Sequence, residues 1–169
     1  FAKQTEEYYN AIRTNIQFSG AQMKVIAVSS VEAGEGKSTT SVNIAISFAS
    51  VGLRTLLIDA DTRNSVLSGT FKSNEPYKGL SNFLSGNATL EETVCRTDIA
   101  GLDVISSGPI PPNPTSLLQN ENFTHLLDVA RSQYDYVIID TPPIGLVIDA
   151  VIVAHQADAS LLVTAAGKI

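Results

Sequence analysis

Five short runs of this chain are apolar at nearly every position, and that feature constrains its fold most tightly. They are Val25-Ile26-Ala27-Val28, Thr55-Leu56-Leu57-Ile58, Leu102-Asp103-Val104-Ile105, Tyr136-Val137-Ile138-Ile139 and Ser160-Leu161-Leu162-Val163. A strand with one wetted face alternates apolar and polar residues, so strands apolar on both faces must be covered on both. Helical stretches lie between them. Ser38 to Val51 carries Ala, Ile, Val and Phe at helical spacing and closes on Gly52, and Asn120 to Ser132 sets Phe123, Leu126, Leu127 and Ala130 on one face. Strand alternating with helix predicts an α/β fold, a mostly parallel sheet flanked by helices on both faces. A further helix is expected over Thr5 to Gln17, with short helical pieces at Asn82 to Leu84 and Leu90 to Val94. Asp149 is expected to cap a helix starting at Ala150. The Pro-rich run Ser107 to Pro114 reads as a loop. No composition break divides the chain, so residues 1–169 are read as a single domain.

The first strand leads into Ser29-Ser30-Val31-Glu32-Ala33-Gly34-Glu35-Gly36-Lys37-Ser38-Thr39, which opens the helix that follows. Glycines at 34 and 36 allow the backbone to curl its N–H groups around an anion, and a helix N-terminus adds unsatisfied donors. Gly34, Glu35, Gly36, Lys37, Ser38 and Thr39 are therefore the expected nucleotide-binding segment. Lys37 bridges the β- and γ-phosphates of ATP, and the Ser38 hydroxyl ligates Mg²⁺. The usual phosphate loop carries glycine where this chain has Val31, which makes the motif a deviant one.

Two other strand ends carry acids. The second strand runs out through Ile58-Asp59-Ala60-Asp61-Thr62-Arg63, and the fourth through Ile139-Asp140-Thr141-Pro142-Pro143. In a parallel sheet the carboxyl ends of the strands form the ligand crevice, beside the phosphate loop. Carboxylates crowded there repel one another unless a cation or a shared proton offsets them, and Mg²⁺-nucleotide supplies the cation. An apolar strand ending in Asp140 beside a phosphate loop is the Walker B arrangement, in which the carboxylate orders Mg²⁺ and its waters.

Composition narrows the partners. The net charge is −6 with no run of Lys or Arg, which argues against nucleic acid. The lone Cys95 excludes an intramolecular disulfide and a multi-cysteine metal site, and is read as a small half-buried residue. No apolar run reaches the ~18 residues that span a bilayer, so a cytoplasmic location is expected. His125 and His155 are read as packing or surface residues on helices, and Tyr8, Tyr9, Tyr77, Tyr134 and Tyr136 as packing rather than phosphoacceptors. The chain opens at Phe1 and ends at Ile169 just after an apolar strand, so a piece of a longer protein is expected.

Taken together, the three motifs resemble the deviant phosphate-loop ATPases of the septum-site and partition type. More closely, they resemble the bacterial tyrosine kinases of polysaccharide synthesis. Asp59-x-Asp61-x-Arg63 is similar to that family's second Walker motif and Ile139-Asp140-Thr141-Pro142-Pro143 to its third. Septum-site and partition ATPases carry a signature lysine where this chain has Glu32. The resemblance implies an ATP-dependent protein-tyrosine autokinase of capsule or exopolysaccharide synthesis. Such an enzyme phosphorylates a C-terminal tyrosine cluster on a neighbouring copy. It further implies that Lys37, Asp59, Asp61 and Asp140 are catalytic, with Asp59 as base or positioning group for the tyrosine hydroxyl. Ser38, Asp61 and Asp140 order the metal shell, and Arg63 holds phosphate or neighbouring acids.

The partners implied are a homo-oligomer, a transmembrane activator and a cognate phosphotyrosine phosphatase. The activator, of the polysaccharide co-polymerase type, lends a cytoplasmic segment that holds the kinase at the inner face of the membrane. The oligomer, a ring in this family, is built through an N-terminal helix (residues 1–20) carrying Glu-x-x-Arg-x-x-Arg; Glu7 and Arg13 match, and Asn10 replaces the middle arginine. The family's further helix, strand and tyrosine tail fall outside this sequence. The competing reading is a nucleotide-dependent assembly switch of the septum-site and partition type that phosphorylates nothing.

Overall fold

The computed structural model of the chain describes residues 3–30, 37–61, 78–141 and 149–163. Within them run helices α1 (Lys3–Phe18), α2 (Lys37–Ser50), α3 (Leu80–Leu84), α4 (Leu90–Thr93), α5 (Pro114–Leu118), α6 (Glu121–Gln133) and α7 (Asp149–Gln156). The strands are β1 (Val25–Ser30), β2 (Thr55–Asp59), β3 (Val94–Arg96), β4 (Leu102–Ile105), β5 (Tyr136–Asp140) and β6 (Ala159–Val163). They form a six-stranded sheet in the order β3-β4-β2-β5-β1-β6, parallel except for the edge pair of β3 with β4.

Strand parity divides the core in two. Val25, Ala27, Leu56, Ile58, Ile105, Val137 and Ile139 meet Leu80, Leu84, Leu118, Phe123, Leu126, Leu127 and Val153 on one face of the sheet. Ile26, Val28, Leu57, Leu102, Val104 and Ile138 meet Ile44, Ala45, Phe48 and Ala49 of α2 on the other, with Tyr9, Ile12 and Ile16 of α1 packed behind. This explains why the central strands are apolar at nearly every position: each residue has a helix layer to face. The Phe48 ring stacks on Tyr136 at 4.0 Å between centroids, closing the core under α2.

Three local readings need correction. Val94 is not the end of a helix; it starts β3, a three-residue strand that pairs antiparallel with β4. That makes six strands rather than five. The Pro-rich run does not end in loop, because Pro114 is the first residue of α5. A proline is tolerated there, since its missing N–H is one that a helix start leaves unbonded anyway. The piece expected at Asn82 to Leu84 begins earlier, at Leu80. The expected buried face of α6 and the glycine stop of α2 hold. Asn120 caps α6 by accepting from the Asn122 N–H, and Phe123, Leu126, Leu127 and Ala130 are its buried residues. Gly52 takes φ +85°, the left-handed turn that stops α2. Asp149 is the first residue of α7; its expected capping side chain lies outside the described residues. Among the described residues no helix is long and apolar enough to cross a membrane.

Candidate active site

The sheet order places the site. β1, which leads into the segment expected to bind phosphate, has β5 on one side, and β5 has β2 on its other side. The three motif-bearing strands are thus immediate neighbours, although the chain visits them far apart. Register completes the juxtaposition, because Asp59 at the end of β2 is directly opposite Asp140 at the end of β5. Parity also decides which way they face. Leu57 and Ile138 point to the α2 face, and Asp59 and Asp140 lie two residues further along their strands, so both fall on that same face. Asp59 is 0%, Asp140 1% and Asp61 5% exposed.

Polar contacts hold the strand ends. The Asp61 N–H donates to Asp59 Oδ1 at 3.1 Å, a local turn in which an aspartate side chain stands in for backbone. The Ser41 hydroxyl on α2 donates to Asp140 Oδ1 at 2.9 Å. Next to Asp140, the Thr141 hydroxyl donates to the Val28 carbonyl at 2.9 Å. A hydroxyl has one proton, so in the 2.6 Å contact between Ser29 Oγ and Thr141 Oγ1 it is Ser29 that donates. The Ala60 N–H to Asp140 carbonyl bond, at 2.8 Å, extends the β2–β5 ladder past its last pair.

Lys37, Ser38 and Thr39 form the first turn of α2, with Thr39 exposed. The side chains of Lys37 and Ser38, and all of Gly34, Glu35, Gly36 and Arg63, lie outside the described residues. Of the expected site, then, the structure sets Asp59 opposite Asp140 and ties Asp61 to Asp59 through the Asp61 backbone N–H. Ser41 and Ser29 join them from outside the expected set. Ser41 carried a sequence signal that was not read: it occupies an inward helical position otherwise filled by Ile44, Ala45 and Phe48.

The donor set suits a hard, oxygen-seeking cation. Buried carboxylates side by side call for positive charge, and none of the acids is accompanied by a histidine or thiolate ligand set. Among the described residues no group of three or more His, Cys, Asp and Glu forms a metal cage by itself. Mg²⁺ binds through one or two carboxylates plus substrate phosphates and retained waters, and Asp59 and Asp140 are two carboxylates at adjacent positions on one face of the sheet.

Away from this end, two expected features take definite form. Arg13 Nη1 donates to the Ser47 carbonyl at 3.1 Å and to Ser47 Oγ at 3.2 Å, while the Ser47 hydroxyl donates to Asn10 Oδ1 at 2.6 Å. Asn10 and Arg13 thereby fasten α1 onto α2, and Glu7 is exposed. Tyr134 donates its hydroxyl to Asp103 Oδ2 at 2.7 Å; burial, then Asp103, push that hydroxyl well above its ordinary value. Tyr136 is likewise raised, by burial and by Asp135. Both are packed residues, and Tyr77 lies outside the described residues. Tyr8 is 62% exposed and meets the Tyr9 ring edge-on at 5.1 Å, so packing describes Tyr9 better than Tyr8. His125 and His155 are exposed on α6 and α7, and Cys95 is half-buried on β3.

Residues 23–167 match the family described as AAA domain. The chain is 59% identical over 168 residues to the tyrosine-protein kinase CpsD of Streptococcus agalactiae serotype III, covering 99% of this chain and 72% of that relative. Among solved structures, the kinase domain of the Escherichia coli tyrosine kinase ETK superposes with a TM-score of 0.92 at 34% identity, over 97% of this chain and 65% of that one. The septum site-determining protein MinD from Pyrococcus horikoshii, solved with Mg-ADP, shares the fold at TM-score 0.71 and 22% identity, over 83% of this chain and 57% of that one. The acids meet at the strand ends, and identity to a named kinase runs through nearly the whole chain, so this chain belongs to the bacterial tyrosine-protein kinase family.

Proposed function

We propose that this chain is an ATP-dependent protein-tyrosine kinase of capsular or exopolysaccharide synthesis, acting on tyrosines of a neighbouring copy. The observation that carries the reading is the buried, side-by-side placement of Asp59 and Asp140 on the face of the sheet covered by α2. When bound, Mg²⁺-ATP supplies the γ-phosphoryl group and a cation that offsets its charge.

Phosphoryl transfer asks the protein for positioning and charge stabilisation. Lys37, Ser38 and the N–H groups from Gly34 to Thr39 bind the phosphates at the start of α2. Asp140 and Asp61, with the Ser38 hydroxyl, hold the cation and its waters. Arg63 holds phosphate or the neighbouring acids. The phenol of an incoming tyrosine, with an ordinary pKa near ~10, must lose its proton as its oxygen attacks the γ-phosphorus. Asp59 accepts that proton while the bond from phosphorus to the ADP oxygen breaks.

In this reading the acceptor tyrosines belong to a second copy, docked through the helix that exposes Glu7. Arg13 is already engaged by Ser47, so its part in docking is to hold α1 in place. A transmembrane activator supplies the cytoplasmic segment that switches the kinase on and holds it at the inner face of the membrane. A cognate phosphatase reverses the modification.

The test is incubation with Mg-ATP, a tyrosine-bearing peptide and the cytoplasmic segment of a polysaccharide co-polymerase activator, with phosphotyrosine read by mass spectrometry. Phosphate on the peptide is expected, and Lys37→Met abolishes it. Phosphorylation unchanged in Lys37→Met overturns the assignment of the phosphate loop. Hydrolysis of ATP with no phosphotyrosine makes the chain an assembly switch instead.

A further inference from the structure

We propose that Ser41 is a positioning residue for Asp140, holding its carboxylate in the orientation in which it orders the cation. The inference rests on the reading of Asp140 given above. It starts from a mismatch between pattern and residue. The inward side of α2 runs through positions 41, 44, 45, 48 and 49, all buried, and four of them are Ile44, Ala45, Phe48 and Ala49. The first is a serine, 0% exposed. A hydroxyl placed in such a stripe loses its water and needs a protein partner to offset that loss.

Its partner is the one acid that strand parity turns toward α2 from β5. Ser41 Oγ donates to Asp140 Oδ1 at 2.9 Å, both residues being buried. A hydroxyl donating to a carboxylate makes one of the stronger hydrogen bonds available to a side chain. Bonding one carboxylate oxygen restricts rotation of the group about its last side-chain bond. The place from which Ser41 acts gives the contact its meaning. It stands one turn after Lys37 and three residues after Ser38, on the same continuous helix (Lys37–Ser50). The acid on β5 is thereby tied to the rigid element whose first turn carries the phosphate and metal ligands. Their separation is set by the helix rather than by a loop. Groups that bond a metal-ordering ligand from behind set its geometry, and their loss typically weakens metal affinity by about 10–100-fold.

The experiment uses the purified chain with ADP and Mn²⁺ as the probe cation, read by electron paramagnetic resonance, with Ser41→Ala, Ser41→Thr and Asp140→Asn beside wild type. Ser41→Ala is expected to weaken Mn²⁺ binding to the ADP complex by roughly 10-fold. Its ADP affinity without divalent cation should stay at the wild-type value. Ser41→Thr keeps the hydroxyl and should restore Mn²⁺ binding. In the kinase assay the Mg²⁺ concentration for half-maximal phosphotyrosine should rise by the same factor in Ser41→Ala and return in Ser41→Thr.

Wild-type Mn²⁺ affinity in Ser41→Ala, with Asp140→Asn impaired, overturns the positioning role and leaves the reading of Asp140 standing. Equal losses of metal-free ADP affinity and Mn²⁺ affinity in Ser41→Ala also overturn it, since a disturbed helix explains both. Wild-type Mn²⁺ affinity in Asp140→Asn removes the reading of Asp140, and the role of Ser41 falls with it.

Discussion

At the amino end of the sheet, Asp158 accepts from the backbone N–H groups of Lys24 at 3.0 Å and Val25 at 2.9 Å, and from Arg131 Nη2 at 3.1 Å. At the carboxyl end, Asp59 and Asp140 stand in register beside each other, deeply buried, with a serine hydroxyl as a donor to one of them. The same residue type is used in opposite ways. Asp158 meets a guanidinium and the backbone N–H groups of Lys24 and Val25 at the start of β1, so its charge closes the joint between β6, β1 and α6. Lys24 adds to that joint by donating Nζ to the Arg131 carbonyl at 2.6 Å. At the other end two carboxylates occupy adjacent register positions, where the charge of each opposes ionisation of the other. One end of the sheet is joined through its acid; at the other, in the function proposed above, the acids face a cation that would arrive with the nucleotide.

That contrast is most sharply tested by replacing acids at the carboxyl end. Asp59→Asn and Asp140→Asn are each expected to lower phosphotyrosine formation by at least ~10²-fold, the scale of a lost proton acceptor or charge-ordering group. Their melting temperatures should hold or rise, because an amide in place of one carboxylate relieves like-charge repulsion. A melting temperature that falls by several degrees in either variant would erase the distinction, by showing that this end too is held together by its acids.

The amino end should answer in the opposite sense. Asp158→Asn is expected to keep tyrosine phosphorylation while losing about 1–2 kcal/mol of stability, less than the full worth of a buried charge-assisted contact because the site is partly open to water. For a chain of this size that is a fall of about 2–4 °C in melting temperature per kcal/mol, readable by calorimetry. Loss of activity with unchanged melting temperature would contradict the assignment.

The smallest effect is one of pH. Burial pushes the Asp158 carboxyl up, but hydrogen bonds from Val25, Arg131 and Lys24 outweigh burial and hold it below its ordinary value of 3.8. A carboxylate depressed in the folded state stabilises fully above pH 3.8, and that contribution fades as pH falls toward the folded value. Denaturant titrations of wild type and Asp158→Asn should therefore differ by a constant amount above pH 4 and converge below it. A gap that persists undiminished at low pH would mean that packing, not charge, made the difference.

Much of this was legible beforehand, for identifiable reasons. Two-sided apolar strands announce a covered parallel sheet, and the spacing of Phe123, Leu126, Leu127 and Ala130 announced the buried face of α6. Asp59 and Asp140 were found because each ends an apolar strand, a pattern local to a few residues. The edge strand β3 was not found, because three residues cannot show a period and Val94-Cys95-Arg96 extends only by pairing with Val104 and its neighbours. Helix α5 was hidden by its own first residue, since a proline run looks alike whether it ends in a loop or at a helix start. In the sequence Asn10 is a departure from a contact motif, and its partners Ser47 and Arg13 come to it only through the packing of α1 on α2.

The layers, the glycine-rich run between β1 and α2, and the acids at the strand ends are all written in short stretches of the sequence. Those properties follow from which residues lie within a turn or a strand of one another. That β5 lies between β1 and β2, that register sets Asp59 against Asp140, and that Ser41 reaches one of them are properties of the folded sheet. Strand order and register are settled by how two cores fill on opposite faces of a sheet, a long-range packing condition that no local spacing encodes.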